Sequence, residues 1–139
     1  MKTFNKELDI YFEDISPSGK IHLEKLAEWS STVREEYFKS TCPNHLKFVE
    51  SPVKMVTINL SMAMTGNSSK WADKITAILT TSNIKKISFE MHINFQNERT
   101  KKIIATSIQK VTFVDVNTKQ FAGVPNDMKS VIVNYVKII

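Results

Sequence analysis

A single cysteine, Cys42, stands in 139 residues. That excludes an intrachain disulfide and any metal site built on cysteine. Three glycines and four prolines leave little punctuation. No linker, repeat or low-complexity segment is visible, so one domain over 1–139 is expected. No apolar run approaches the ~20 residues that a membrane-crossing helix needs. Met1-Lys2-Thr3-Phe4-Asn5-Lys6 lacks the apolar core of a signal peptide, and a cytoplasmic location is expected. Basic clusters at Lys85-Lys86 and Arg99 to Lys102 are not interleaved with aromatics, so a nucleic-acid motif is not supported. The three histidines are scattered: His45 and His92 stand alone, and no metal or other cofactor is expected.

What is present is ordinary for a folded chain. Hydrophobic residues make up 42% and charged residues 24%, outside the disordered range. The net charge of +5 favours anionic partners such as coenzyme A phosphates or an acidic carrier protein.

Residues Glu7 to Asp14 alternate, with Leu8, Ile10 and Phe12 on one side, and predict a half-buried strand. Ser16-Pro17-Ser18-Gly19 is a turn. From Leu23 to Phe38 apolar residues recur at helical spacing, with Leu23, Leu26, Ala27, Val33 and Tyr37 in one stripe. Ser40 to Pro52 reads as a loop. Strands follow at Val56 to Met64, Lys74 to Thr81, Ile87 to Phe95 and Lys101 to Val116, joined by turns at Gly66–Ser69 and Gln96–Arg99. Asn117 to Gln120 is a further turn, and a last helix is expected from Met128 to about Lys137. A helix of ~16 residues is about 24 Å long and needs one stripe covered. A curved antiparallel sheet, its last four strands in meander, would cover it.

Arg34 lies inside the apolar stripe. A guanidinium cannot shed its charge, so burial obliges it to find anionic or carbonyl partners. They could be Glu13 or Asp14, a neighbouring subunit, or a substrate oxygen. The strand–turn–helix order also aims helix N-terminal N–H groups at the mouth of the turn, where Gly19, Ile21 and His22 stand. Such groups suit a developing oxyanion. His22 is more simply a solvent-facing or capping residue than a base. Ser16 is in plain terms a Ser-Pro turn residue, and no nucleophile-elbow motif surrounds it. Ser30 interrupts the stripe beside Arg34, as a packing contact or as space for a ligand. The methionines read as core, and secondarily as an adaptable tunnel wall.

Three stretches resemble the hotdog-fold acyl thioesterases of the hydroxybenzoyl-CoA type. Tyr11-Phe12-Glu13-Asp14-Ile15-Ser16-Pro17-Ser18-Gly19 looks like that family's aromatic-x-x-Asp-x-Asp-x-x-Gly loop. Leu26-Ala27-Glu28-Trp29 through Arg34-Glu35-Glu36-Tyr37-Phe38 looks like its helix. Phe113 to Lys119, with Val124-Pro125, is similar to the end of its last strand. The resemblance implies a hotdog α+β fold, a long central helix wrapped by a five-stranded antiparallel sheet. It also implies a homodimer or homotetramer with the site between subunits. Two positions depart from the common pattern: Ser16 replaces the catalytic aspartate, and Lys25 stands where an asparagine is usual. The enediyne polyketide thioesterases, a branch without that loop acid, are more similar, with Trp29 and Arg34-Glu35 matching. That likeness implies thioester hydrolysis of an acyl, polyketide or β-keto chain on acyl carrier protein or CoA. Arg34 would stabilise charge or grip a β-keto oxygen, and Ser16 would position water. Gly19, Ile21, His22 and Ser30 would line the substrate. A dehydratase or cyclase on the same fold, or a non-catalytic acyl-chain binder, are the alternatives.

Overall fold

The structure, a computed structural model, describes residues 2–137. It is a mixed α/β fold with a curled antiparallel sheet and few helices, as hotdog-fold thioesterases have. Strand β1 spans Phe4–Asp9, helix α1 Leu23–Thr41, α2 His45–Glu50, β2 Val53–Met64 and β3 Lys74–Ser82. Then come β4 at Ser88–Asn97, β5 at Ile103–Asp115, a short β6 at Gln120–Ala122, and α3 at Asn126–Ile132. No helix among the described residues is long and apolar enough to cross a membrane.

The sheet corrects the expected meander. Its order is β1-β3-β4-β5-β2, all antiparallel, so only β3, β4 and β5 are sequential neighbours. Helix α1 runs across the sheet face, and β2 therefore enters at the edge opposite β1. A sixth strand, β6, also exceeds the expected five and pairs with the end of β5. Because β2 pairs with β5 alone, its outer backbone edge is open.

Strand β4 shows why the core lies where it does. Phe89, Met91, Ile93 and Phe95 alternate inward and are fully buried. Onto that face α1 turns Leu26, Trp29, Val33, Tyr37 and Phe38. Trp29 meets Phe95 at 6.0 Å between ring centroids, and Phe38 meets Phe89 edge-on at 6.4 Å. Each such ring buried contributes about 1.5–3 kcal/mol. Leu23, expected in the stripe, is half-exposed. Helix α1 runs three residues past the expected end and stops before Pro43, which disfavours helical geometry in the residue ahead of it.

Strand β1 ends earlier than the alternation predicts. Its partner β3 begins at Lys74, opposite Asp9, so nothing pairs beyond it. The chain then tightens into a 3-10 turn at Phe12–Asp14, closed by the Tyr11 amide donating to Asp14 Oδ2 at 2.9 Å. Phe12 is left 77% exposed instead of facing the core. The expected loop at Ser40 to Pro52 contains α2, bracketed by Pro43 and Pro52.

The loop between β2 and β3 is fastened to the β4–β5 turn by polar contacts. Buried Asn97 donates to Ser69 Oγ at 3.0 Å and to Asp73 Oδ2 at 2.9 Å. Arg99 donates twice to the Asp73 carboxylate, at 2.9 and 3.0 Å, and holds that carboxyl well below the usual carboxylate range. A carboxyl depressed in the folded state stabilises above its unfolded value, near ~3.9, and the contribution fades as pH falls below it. Asp73→Asn is therefore expected to cost about 1–2 kcal/mol at neutral pH, and progressively less below about pH 4. Urea unfolding of both proteins at pH 7 and pH 3 measures this; an equal cost at both pH values would contradict it.

Candidate active site

The turn ahead of α1 is a closed unit. Ile15 and Ile21 form an antiparallel bridge. The Ser16 amide donates to Lys20 O at 2.8 Å, and the Gly19 amide donates to Ser16 O at 2.9 Å. The Ser16 hydroxyl accepts from the Lys20 amide at 3.2 Å and pairs with Ser18 Oγ at 2.9 Å. Gly19 is required here: its φ is +84°, and a Cβ would lie 2.8 Å from Ser69 O. The Ile21 side chain is buried in the core rather than offered to a ligand. The His22 amide donates to Asp14 O at 3.0 Å, while its side chain is exposed.

Two of the three backbone donors expected at the helix start are thus spent within the turn. Helix α1 has no side-chain cap, and Lys25 and Leu26 return to His22 O. The Ile21, Leu23 and Glu24 amides are left without partners among the described residues, so they are the groups open to a ligand. The hollow beside them, about 320 Å³, is lined by Glu13, Asp14, His22, Glu24, Lys25 and Glu28. Four carboxylates against one lysine weaken the attraction that the helix end has for an anion.

Arg34 is not at this junction. Eleven residues separate it from Leu23, about 16 Å along the helix. Its side chain is 19% exposed, on the α1 flank that faces β2. Nη1 donates to Thr57 Oγ1 at 2.7 Å and to Gln109 Oε1 at 3.2 Å. Nη2 lies 3.8 Å from the exposed Glu35 carboxylate. Nε is buried with no partner. The ion pair with Glu13 or Asp14 that the sequence allowed is absent, because Asp14 lies 3.5 Å from Lys25 instead. Within one chain, then, Arg34 and Ser16 are not brought together. That corrects the expectation of one pocket shared by the guanidinium and its own helix end.

The groups around Arg34 are rigid. Gln109, 2% exposed, points inward from β5 and donates to Ser30 O at 2.9 Å. The hydroxyl of fully buried Ser30 donates to Leu26 O at 2.8 Å and is hydrogen-bonded to Ser107 Oγ at 3.0 Å. Ser30 is therefore a clasp between α1 and β5, not space for a ligand. Two neutral oxygens thus hold a permanent cation and leave the Nη2 N–H groups for another acceptor, while Nε is closed off from solvent. A buried donor left unmet costs about 1–3 kcal/mol. Sequence reasoning missed Gln109 and Thr57. Gln109 had a signal: it is a large polar residue at an inward position of an alternating strand.

Beside Arg34 the inward face of β2 is apolar and open. Leu60 and Met64 are inward-facing on β2, opposite Gln109 and Ala105, and are still 39% and 38% exposed. Ile58 sits at the irregularity between Thr57 and Asn59 and is exposed too.

Solved structures share this architecture. The dynemicin thioesterase, described with induced-fit and allosteric effects upon polyene binding, superposes with a TM-score of 0.89. It is 11% identical, over 99% of this chain and 100% of that one. SAV2348 from Staphylococcus aureus, in complex with CoA, gives 0.86 at 13% identity over 99% and 88%. A 1,4-dihydroxy-2-naphthoyl-CoA thioesterase from Synechocystis gives 0.80 at 13% identity over 96% and 97%. No protein-family model and no curated protein matches the chain. At these identities the likeness is one of fold: the chain has the fold of hotdog thioesterases.

Proposed function

We propose that this protein is a thioester hydrolase acting on an acyl or polyketide chain, including β-keto chains, carried by acyl carrier protein or CoA. The observation that carries the reading is the guanidinium of Arg34, largely buried, held by two neutral oxygens and with no buried carboxylate beside it. Thioester cleavage develops negative charge on the carbonyl oxygen. A fixed cation in a poorly hydrated cleft meets that charge without reorganising, and the same fork grips a β-keto oxygen. Glu35 is the carboxylate nearest the guanidinium, and it is exposed. The rate therefore rests on activating the electrophile more than on a strong base, which suits a slow enzyme or a reactive substrate. Chain 1–139 acts as one hotdog domain, its α1 wrapped by the sheet. The enediyne polyketide branch is the subfamily we favour, on Trp29 and Arg34-Glu35.

The site is completed by a second copy. Antiparallel pairing of two β2 edges would cover Leu60 and Met64 and satisfy the open backbone edge. A two-fold axis between Leu60 and Ser61 would set the Met64 end of one strand level with Thr57 of the other. The neighbouring copy's helix start, with its Ser16–His22 turn, would then lie beside Arg34. In that arrangement the Leu23 and Glu24 amides add donors for the oxyanion, and Ser16 holds the attacking water.

Two measurements test this. With acyl-carrier and acyl-CoA thioesters followed by mass spectrometry, Arg34→Ala is expected to lower kcat/KM by ~10²–10³ with folding retained. Thioesters left intact by the wild type, or cleaved equally by the variant, would overturn the hydrolase reading. In sedimentation velocity the wild type is expected as a dimer or tetramer, and Leu60→Lys as a monomer without hydrolase activity. An active monomer would refute the two-copy site.

A further inference from the structure

At the C-terminal end of α1 lies a cavity of about 850 Å³, in the size range of ligand pockets. Its walls are Phe38 and Cys42 of α1, Phe48 of α2, Val53 and Met55 of β2, and Met128 of α3. Helix α2 roofs it with no buried residue of its own, and its Leu46 and Val49 are exposed. Short α2 contributes little packing to hold it down: Phe48 meets Phe113 edge-on at 6.0 Å, and Asn44 Nδ2 donates to Asp127 Oδ2 at 3.0 Å.

The cavity begins beside Arg34 along α1, although Arg34 is not among its walls. Glu35, whose carboxylate faces the guanidinium, lines it. Phe38 is one turn past Arg34, and Met55 is two residues from Thr57 on the same inward face of β2. From Arg34 to Cys42 the chain rises about 12 Å, the span that a chain anchored at Arg34 would cover. The rim carries Lys39, Lys47 and Lys54 against Glu35, Glu36 and Asp127, so it has no net charge to recruit an anion. An uncharged apolar chain is what these walls match, and methionines at Met55 and Met128 adapt to its shape.

We propose that this chamber holds the apolar tail of the acyl group. The substrate then lies along α1 with its carbonyl at Arg34 and its chain running toward Cys42, and the chamber favours long chains over short ones. The orientation rests on the thioester reading, whereas occupancy by an apolar chain does not.

Cys42 is the protein's own reporter, because its buried thiol lines the chamber. Dodecanol, which carries no thioester, is expected to slow alkylation of wild-type Cys42 by N-ethylmaleimide about tenfold at ten times its Kd, and butanol is not. If the thiol does not react even without alcohol, titration calorimetry with dodecanol gives the same answer. Met128→Trp, which fills the chamber, is expected to lower the ratio of dodecanoyl- to butyryl-thioester kcat/KM at least ~10-fold. Met55→Phe serves if that variant does not fold. Protection by dodecanol without hydrolysis of any thioester would uphold the chamber and overturn the hydrolase. Hydrolysis with no dodecanol binding and an unchanged ratio would overturn the chamber alone.

Discussion

A cation that cannot be neutralised is held where no buried carboxylate meets it. Arg34 donates to two neutral oxygens, Thr57 Oγ1 and Gln109 Oε1, and its Nε has no partner. Much of the architecture is needed to reach that arrangement. Strand β2 must enter at the far edge of the sheet to bring Thr57 under the helix flank. Strand β5 must carry a buried glutamine inward, and Ser30 must lock α1 against β5 so that the guanidinium has one position. A cation so placed is preorganised for an oxygen that gains charge, the requirement of thioester cleavage.

The two ends of the molecule are built differently. At the start of α1, Gly19, Ser69, Asn97, Asp73 and Arg99 form a connected polar lock. At its other end, an apolar chamber lies under a short helix with few fastenings. Low local stability is where ligand-admitting segments are found, and α2, with no buried residue of its own, is the segment of that kind beside the chamber. The open β2 edge and its exposed inward residues are the surface on which the proposed second copy would sit.

Much of this was legible in the sequence. The alternation from Phe89 to Phe95 marked the central strand, the stripe from Leu26 to Tyr37 marked α1, and Arg34 stood out as a charge inside that stripe. Strand order was not legible, because alternation says which residues share a face and nothing about which strand lies beside which. For the same reason the Arg34 partners escaped notice: Thr57 and Gln109 meet only through the β2–β5 register. The exposure of Phe12 was hidden because Asp14 folds back on the Tyr11 amide and ends the alternation early. The helix N-terminus was recognised, but its distance from Arg34 follows from helix rise alone and makes a one-chain site impossible to assemble.

The most direct test is the affinity of a non-hydrolysable acyl-CoA ketone analogue, in which a methylene replaces the thioester sulfur. Titration calorimetry would compare wild type with Arg34→Gln, which keeps a polar side chain but no charge. The account predicts binding at least ~10-fold weaker for the variant, with the melting temperature unchanged or raised once the buried charge is gone. Equal affinity for both proteins would contradict the assignment of Arg34 to the substrate oxygen.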